Sequence, residues 1–236
     1  MQLKNKVGIV TVTYNVSSLL WKQIELIRKY CKDEYDIIVV DNSNESDAID
    51  AVKYITTESK VGYIKTQSAH GSGSDSHVFA CNTSFFKLKY DYEFFFYLDH
   101  DNFPIREFSV EEILKGRGIA GLGQQKSKLY FWPGCVMWDN RTIDKEIVDF
   151  SVSHEWGLDT GGNLYKVIER YGLDACIFFN EKYYENPVFK RSFYNFYSTI
   201  NDDMFMHFIN SSNWNPTEGN DERLNSLLNI LEERTK

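Results

Sequence analysis

The sequence predicts an α/β fold, with one mostly parallel sheet flanked by helices and a smaller mixed or antiparallel part in the second half. Apolar runs rich in Val, Ile and Phe are typical of strands that are buried on both faces. They alternate with stretches whose apolar residues follow the helical period. Such alternation indicates a parallel sheet with right-handed crossovers. The 236 residues are enough for one α/β domain of ordinary size.

In the first half, four apolar runs each end at polar residues. The first helix is expected to begin at Ser17 or Ser18, since serine is a favourable N-cap. The fourth run is continuous Phe-Phe-Phe-Tyr-Leu and stops at Asp99-His100-Asp101. The predicted strands are 7–13, 36–40, 61–66 and 94–98, and the predicted helices follow Ser17 or Ser18 and cover 48–55 and 78–88.

The second half follows a less regular pattern, so mixed or antiparallel strands are expected there. Ser109 and Glu112 form a capping box before a short helix, and Pro133-Gly134 is typical of a tight turn. Asp159 or Thr160 is expected to be the N-cap of a later helix. The predicted elements are helices at 110–115, 164–171 and 220–236 and strands at 119–122, 129–132, 135–138, 175–179 and 204–209.

Composition and charge exclude some partners. The formal net charge is −8, and no basic cluster of the kind that a phosphate backbone requires is present, which argues against nucleic acid. The four cysteines form no CxxC pair and lie mostly in apolar runs, so we expect reduced core residues. The sequence starts without a secretory apolar stretch, and no apolar run approaches the roughly 20 residues that span a bilayer. We therefore expect a soluble, cytoplasmic protein.

Asp99 and Asp101 stand where the fourth strand ends. In an open α/β sheet, ligands bind outside the carboxyl ends of the strands, so both side chains should lie at the mouth of a crevice. Paired carboxylates suit a divalent cation, which can in turn bind the phosphates of a nucleotide. The alternative is a turn after a core strand, in which Asp, Asn and Pro serve turn geometry.

The polar run from His70 to His77 is a second candidate for ligand binding. Gly71 and Gly73 permit close approach of the backbone to a ligand, and the helix that follows begins with free N–H groups suited to phosphate. The run is not a dinucleotide fingerprint, because it follows the third strand and Ser76 replaces the third glycine. A flexible polar loop is the alternative.

The loop at 154–163 carries an unusual density of functional side chains, including Glu155, Trp156 and Asp159. An aspartate with a raised pKa can take a proton from an attacking hydroxyl, so Asp159 is a candidate general base. Helix capping is the alternative role for Asp159. For His207, in a late apolar run, a hydrogen-bonded core or edge position is the simplest interpretation.

Aromatic residues make up 16% of the chain, and many of them fall in one late segment. Flat apolar surfaces of this kind could line a groove for a sugar or an acceptor, and core packing is the alternative. Trp132 allows the same two interpretations. The late segment comprises Tyr183, Tyr184, Phe189, Phe193, Tyr194, Phe196 and Tyr197.

Three segments, at 9–15, 38–43 and 97–101, resemble in sequence and spacing the nucleotide-sugar-binding half of GT-A glycosyltransferases, most nearly those of family 2. The resemblance covers roughly residues 7–104. It implies one GT-A domain over 1–236, with the nucleotide-sugar-binding half at 1–104 and an acceptor-binding half, ending in the closing helix, at 105–236. The donor-binding set that it implies is Thr13, Tyr14, Asn15, Asp41, Asn42, Gly71, Asp99 and His100.

The resemblance also implies a metal site and a catalytic base. Asp99-His100-Asp101 would be the DxD motif that binds Mn²⁺ or Mg²⁺, with Asp101 as the direct ligand. His207, followed by Ser212-Asn213-Trp214, is similar to a late histidine that completes the metal site in several GT-A families. Asp159 lies where inverting members carry their base, although Leu158 stands where they often have Glu. The implied acceptor-binding residues are Trp132, Gly134, Glu155 and Trp156.

These features predict a metal-dependent glycosyltransferase. It would move a sugar from a nucleotide-diphosphate donor, with UDP favoured by the resemblance, to a hydroxyl of a glycan or another acceptor. Asp159 as the base would give inversion. A retaining enzyme of the same fold and a non-catalytic carbohydrate-binding protein are the alternatives.

Overall fold

A computed structural model describes residues 6–66, 73–186, 196–209 and 220–236. The strands are β1 (Val7–Thr13), β2 (Tyr35–Asp41), β3 (Gly62–Lys65), β4 (Phe94–Leu98), β5 (Asn102–Pro104), β6 (Ile119–Gln125), β7 (Leu129–Asp139), β8 (Cys176–Phe179), β9 (Glu181–Glu185), β10 (Phe196–Ile200) and β11 (Phe205–His207). The α-helices are α1 (Ser18–Tyr30), α2 (Ser46–Glu58), α3 (Gly73–Leu88), α4 (Val110–Leu114), α5 (Tyr165–Tyr171) and α6 (Asn220–Thr235).

Two sheets organise the described elements. The larger sheet has seven strands in the order β3-β2-β1-β4-β7-β6-β8. Its first four strands are parallel, β7 is antiparallel to β4 and β6, and β8 is parallel to β6. The smaller sheet is antiparallel, in the order β5-β11-β10-β9. The predicted α/β fold, with an antiparallel part in the second half, is therefore confirmed.

The central strands are apolar throughout because helices cover both faces of the large sheet. On one face, Phe96 in β4 belongs to a core cluster that includes residues of α1, α2 and α4. On the other face, Phe95 packs against Phe85 of α3, with ring centroids 5.6 Å apart, and stacks on Trp138 of β7. Each fully buried phenylalanine contributes up to about 3 kcal/mol. A third cluster joins α1, α6 and the small sheet.

The predicted turn at Pro133-Gly134 is wrong, because both residues lie inside β7. The β6–β7 ladder pairs Gly121 with Val136 and Gly123 with Phe131, so a bulge on β7 lies opposite Leu122. Proline lacks an N–H and is tolerated in a sheet where the ladder is interrupted. Pairing of β7 with both neighbours therefore outweighs the local turn preference.

One predicted helix cap is wrong. Helix α5 has Leu164 as its N-cap, five residues beyond Asp159, so neither Asp159 nor Thr160 caps it. The predicted start of α1 is confirmed, because Ser17 is its N-cap, although Ser17 makes no side-chain capping bond. By contrast, Ser109 caps α4, and its Oγ accepts a hydrogen bond from Glu112 N at 3.1 Å.

All four cysteines are free, and three of them are buried. Within the described residues, no helix has both the length and the apolar character needed to cross a membrane. The division of the chain into two functional halves at residue 104 stays a prediction.

Candidate active site

The four residues that join the two sheets, Asp99 to Asn102, are called the acidic turn below. The turn leaves β4 at the carboxyl ends of the parallel strands and enters β5 of the small sheet. Asn102 N donates to Asp99 O at 2.8 Å, which closes the turn. Asp99 N and Asn102 Nδ2 both donate to Gly134 O, at 3.0 and 2.9 Å. The backbone of the turn is therefore tied to β7.

Gln23 fixes the acidic turn from the side of α1. Its buried amide donates to Asp99 O at 2.6 Å and to Asn102 O at 2.7 Å, and its Oε1 accepts from Thr11 Oγ1 at 2.8 Å. This role of Gln23 was not predicted from the sequence. A detectable signal existed, because Gln23 is a polar residue among Leu20, Ile24 and Ile27 on the apolar face of a predicted helix.

Two cavities meet at the acidic turn. A small one of about 70 Å³ and a large one of about 590 Å³ are both lined by His77, Asp99 and Asp101. The small cavity is further lined by Val12, Thr13, Tyr14, Asn42 and His100. The large cavity is further lined by Gly73, Ser74, Leu122, Gln124, Trp132, Thr160, Glu181, Tyr183, His207 and Ile209.

The structure brings most of the predicted donor-binding residues together around the small cavity, but two of them lie apart. Asp41 is fully buried, and its two carboxylate oxygens accept hydrogen bonds from Ser43 N at 2.9 Å and Tyr63 Oη at 2.8 Å. Asn15 binds the neighbouring loop, donating to Asn44 Oδ1 at 2.7 Å. Gly71 lies outside the described residues.

His100 lines the small cavity and has a buried polar atom. Its Nδ1 lies 3.0 Å from Val12 O, which fixes the ring. Its Nε2 is buried and has no hydrogen-bond partner among the described residues. A buried nitrogen without a partner carries a free-energy cost that a bound ligand can remove.

His77 and Asp99 form an ion pair at the junction of the cavities, with Nε2 and Oδ1 3.0 Å apart. Burial lowers the pKa of His77, but the charge and hydrogen bond of Asp99, together with Cys81, raise it by more in total, so it lies well above the usual value. Burial raises the pKa of Asp99, and the nearby histidines, chiefly His77, lower it by more. Both groups are therefore charged near neutral pH. We did not predict a specific role for His77, although it ends the polar run noted above.

Asp101 and His207 face each other across the large cavity, with Oδ2 and Nε2 3.9 Å apart. Two ligands of one Mn²⁺ or Mg²⁺ ion, each about 2.1 Å from it, lie at most about 4.2 Å apart, so this separation fits a shared ion. Burial lowers the pKa of His207, and the surrounding carboxylates, chiefly Glu181, raise it by more. Asp101 supplies a carboxylate oxygen, which suits Mn²⁺ or Mg²⁺, and the imidazole of His207 can join it as a ligand once the nitrogen that faces the ion is deprotonated.

The predicted metal ligands are not gathered into a closed cluster. Across the described ranges, no three His, Cys, Asp or Glu side chains converge closely enough to hold an ion by themselves. Asp99, Asp101 and His207 all line the large cavity, but Asp99 is already paired with His77. Ions such as Mg²⁺ keep several waters and substrate phosphates as ligands, so a partial protein set is compatible with binding.

Asp159 lies beside the large cavity rather than in its wall. The next residue, Thr160, lines the cavity, and Asp159 Oδ1 accepts from Thr160 N at 2.8 Å. Burial raises the pKa of Asp159, but hydrogen bonds from Ser74 and Thr160 and the charge of Lys126 lower it by more. The carboxylate is therefore ionised at neutral pH, and it is a weaker base than the sequence analysis assumed.

The four predicted acceptor-binding residues separate into two pairs. Trp132 lines the large cavity, and its ring lies 4.9 Å from the His207 ring. A Cβ on Gly134 would lie 2.2 Å from Trp132 Cζ2, so only glycine lets the indole lie against the backbone here. Glu155 and Trp156 are exposed in a single turn of 3₁₀ helix and do not line the cavity.

The late aromatic segment is only partly described. Tyr183 lines the large cavity, while Tyr184 and Tyr197 stack on each other with centroids 5.2 Å apart. Phe196 is exposed on β10. The remaining members, Phe189, Phe193 and Tyr194, lie outside the described residues, as does the Ser212-Asn213-Trp214 segment.

No protein-family model matches the sequence, and a search of curated proteins found no match. Solved structures do match the fold. The mannosyltransferase PcManGT from Pyrobaculum calidifontis, in complex with GDP-Man and Mn²⁺, gives a TM-score of 0.50 at 12% identity over 74% of this chain. This chain spans about half of that protein, 54% of its length.

Two further matches have lower TM-scores. Glucosyl-3-phosphoglycerate synthase from Mycobacterium tuberculosis, in complex with phosphoglyceric acid, gives 0.49 at 13% identity, covering 74% of this chain and 69% of that one. TarS from S. aureus gives 0.42 at 12% identity, covering 62% of this chain and 30% of that one. The likeness to PcManGT shows the fold, so the GT-A fold predicted from the sequence is confirmed.

Proposed function

We propose that the chain is a metal-dependent glycosyltransferase that transfers a sugar from a nucleotide-diphosphate donor to a hydroxyl of a glycan or another acceptor. One observation carries the proposal. Asp99 and Asp101 lie at the carboxyl ends of the parallel strands, where a small cavity opens beside a large one. This is the place where an open α/β sheet binds its ligands. The shared fold with a mannosyltransferase supports the same activity.

In this proposal, the small cavity holds part of the nucleoside and the large cavity holds the sugar and the acceptor. Thr13, Tyr14 and Asn42 offer hydroxyl and amide groups to the nucleoside. The resemblance to family 2 favours UDP, whereas the PcManGT structure contains GDP-Man. Both UDP and GDP are therefore included in the binding test.

Asp101 and His207 would hold Mn²⁺ or Mg²⁺, and Asp99 would contribute to the same site. When bound, the ion would neutralise the diphosphate and stabilise it as a leaving group. Asp99 also holds His77 at the point where the two cavities meet. The presence of Mn²⁺ in the PcManGT complex supports a divalent ion as the cofactor.

Asp159 is the proposed base of an inverting reaction. The acceptor oxygen forms a bond to the anomeric carbon as the bond to the diphosphate oxygen breaks, and Asp159 takes the hydroxyl proton. Contact of Asp159 with Ser74 and Thr160, which line the large cavity, supports this role. A retaining reaction needs no such base and is the alternative.

Calorimetric titration with UDP, GDP and dTDP, each with and without Mn²⁺, tests the proposal. We expect one nucleotide to bind in a metal-dependent way, and Asp101→Asn to weaken this binding at least about 10-fold. Asp174→Asn is the matched control, since it removes the same charge from an exposed position that lines neither cavity. Its affinity should equal that of the wild type.

The titration also separates the alternatives. Metal-independent binding of a free sugar, without binding of any nucleotide, would favour a non-catalytic carbohydrate-binding protein. Failure of every nucleotide to bind, with or without Mn²⁺, would contradict the transferase proposal. The acidic turn would then be a structural connection between the two sheets.

A further inference from the structure

Glu181 is a carboxylate in the wall of the large cavity to which the sequence analysis gave no role. It begins β9, and its side chain is 15% exposed. Ser198 Oγ donates to its Oε1 at 2.6 Å, and Tyr183 Oη donates to its Oε2 at 2.6 Å. Both carboxylate oxygens are therefore held in fixed directions by hydroxyl donors.

The small sheet places Glu181 on the same face as His207. In its ladders His207 lies opposite Ser198, and Ser198 lies opposite Tyr183. Side chains directly opposite in adjacent strands share a face of the sheet, and residues two apart along a strand do too. Glu181 is two residues before Tyr183, so these four residues share one face of the sheet, and Glu181, Tyr183 and His207 line the large cavity. Asn102, next to Asp101, lies opposite His207 on the other side.

His207 lies between two carboxylates, and each of its ring nitrogens faces one of them. Nε2 is 3.9 Å from Asp101 Oδ2, and Nδ1 is 4.0 Å from Glu181 Oε1. Nδ1 is buried and has no hydrogen-bond partner among the described residues. The distance to Glu181 is about 1 Å longer than a hydrogen bond, so a small movement of the imidazole would satisfy the buried nitrogen.

We infer that Glu181 is a positioning residue that accepts the Nδ1–H of His207 and so directs the Nε2 lone pair toward Asp101 and a bound divalent cation. A neutral imidazole has one N–H and one lone pair, and the partner of one nitrogen decides which nitrogen is free to bind a metal. Histidine ligands of metals donate their other N–H to a carboxylate, a carbonyl or water. This inference rests on the proposed metal site, and its tests are chosen to be separable from it.

The first test measures Mn²⁺ affinity by calorimetry in the presence of UDP or GDP. Loss of a residue that orients a metal-binding histidine weakens metal affinity about 10-fold to 100-fold, and we expect Glu181→Gln to fall in this range. Glu185→Gln is the matched control. It removes the same charge from the same strand, at an exposed position outside the cavity. We expect its Mn²⁺ affinity to equal that of the wild type.

The second test reads the His207 tautomer without metal or activity. Long-range ¹H–¹⁵N spectra of labelled apo-protein, recorded at alkaline pH where the ring is neutral, distinguish the two tautomers. The chain has five histidines, so the spectrum is sparse, and His207→Gln assigns the signal. We expect the Nδ1–H tautomer in the wild type and in Glu185→Gln, and a shift toward the Nε2–H tautomer in Glu181→Gln.

The two tests give distinct failures. Wild-type Mn²⁺ binding that is unchanged in Glu181→Gln would overturn the inference and leave the proposed function standing. An Nε2–H tautomer in the wild type would also overturn it. If the wild type binds no Mn²⁺, the metal site of the proposed function fails. In that case the inferred contact stands only if the tautomer shifts in Glu181→Gln as expected.

Discussion

The acidic turn and the loop that carries Asp159 both lie beside the large cavity, but they are anchored differently. The turn is tied by buried hydrogen bonds to α1 through Gln23 and to β7 through Gly134, and Phe208 N donates to Asp101 O at 2.9 Å. Asp159 is exposed, and its hydrogen bonds come from Ser74 and from the backbone of the adjacent Thr160.

We therefore expect the acidic turn and the Asp159 loop to have different roles in ligand binding. Groups that bind a metal or develop charge in a reaction act best when held in place before the substrate arrives. Loops with few buried contacts open at lower free-energy cost and can adapt to a ligand. We therefore expect the acidic turn to be preorganised for the donor, and the Asp159 loop to adjust to the acceptor.

The largest expected effect is on catalysis by Asp159→Asn. Loss of a general base lowers kcat about 100-fold to 10,000-fold. Nucleotide-diphosphate affinity should not change, because Asp159 does not line the small cavity. Steady-state kinetics and calorimetry on the same preparations measure the two quantities, with Asp174→Asn as the control. A kcat equal to that of the wild type would favour the retaining alternative.

Gln23→Leu tests how firmly the acidic turn is held. The change removes the acceptor of Thr11 Oγ1 and one donor each to Asp99 O and Asn102 O in a buried region, while Asp99 O keeps its hydrogen bond from Asn102 N. Each buried polar group without a partner costs about 1–3 kcal/mol, so we expect the free energy of unfolding to fall by about 3 kcal/mol. Urea unfolding measures the loss. Gln125→Leu, at an exposed position, should change stability by less than about 0.5 kcal/mol. Equal effects of the two variants would show that Gln23 does not anchor the turn.

Gly134→Ala tests the contact between β7 and Trp132. The new Cβ would overlap the indole ring, and overpacking of this kind costs about 1–3 kcal/mol. In a double-mutant cycle, the penalty should disappear when Trp132 is already alanine, because the overlapping ring is gone. If Gly134→Ala still lowers the free energy of unfolding in the Trp132→Ala background, the need for glycine comes from the backbone and not from the indole ring.

The smallest effect is expected from Asp149→Asn, which loosens the Asp159 loop. Asp149 Oδ2 accepts from Asn163 Nδ2 at 2.6 Å, and its Oδ1 accepts from Ser151 N at 2.9 Å. Burial raises the pKa of Asp149, but these hydrogen bonds lower it by more. We expect Asp149→Asn to cost about 1 kcal/mol at neutral pH.

The pH dependence of this effect has a defined sign. Because the folded-state pKa of Asp149 is depressed, its contribution is complete above the unfolded pKa of about 3.9 and is lost as pH falls through the folded pKa. Urea unfolding at a series of acid pH values should therefore show that the free energies of unfolding of the wild type and of Asp149→Asn converge as the pH falls. A difference that is constant across this range would contradict the assigned role.

Local patterns were sufficient to predict the first half of the fold. The β1–β4 strands are continuous apolar runs, and polar residues mark their carboxyl ends, so the grouping of Thr13, Tyr14, Asn42 and the acidic turn followed from the sheet. Strands at 129–132 and 135–138 were predicted, but not their continuity in one long β7 strand. Its Pro133-Gly134 pair has turn chemistry, and only pairing with β4 and β6 makes the segment extended.

The remaining site residues depend on contacts between segments distant in the sequence. Glu181 meets His207 only because β9, β10 and β11 pair in one register. His77 meets Asp99 because α3 packs against the carboxyl end of β4. Asp41 has the sequence context of a ligand-binding residue, but Tyr63 and Ser43 occupy its carboxylate. These contacts have no local signature in sequence.

A crystal structure of the chain grown with Mn²⁺ and the nucleotide that it binds tests the central claim most directly, because anomalous scattering locates the ion. We predict an anomalous peak within about 2.3 Å of an Asp101 carboxylate oxygen and of His207 Nε2, with the diphosphate on the same ion. An ion bound elsewhere, or a nucleotide that makes no contact with the acidic turn, would contradict the proposed metal site.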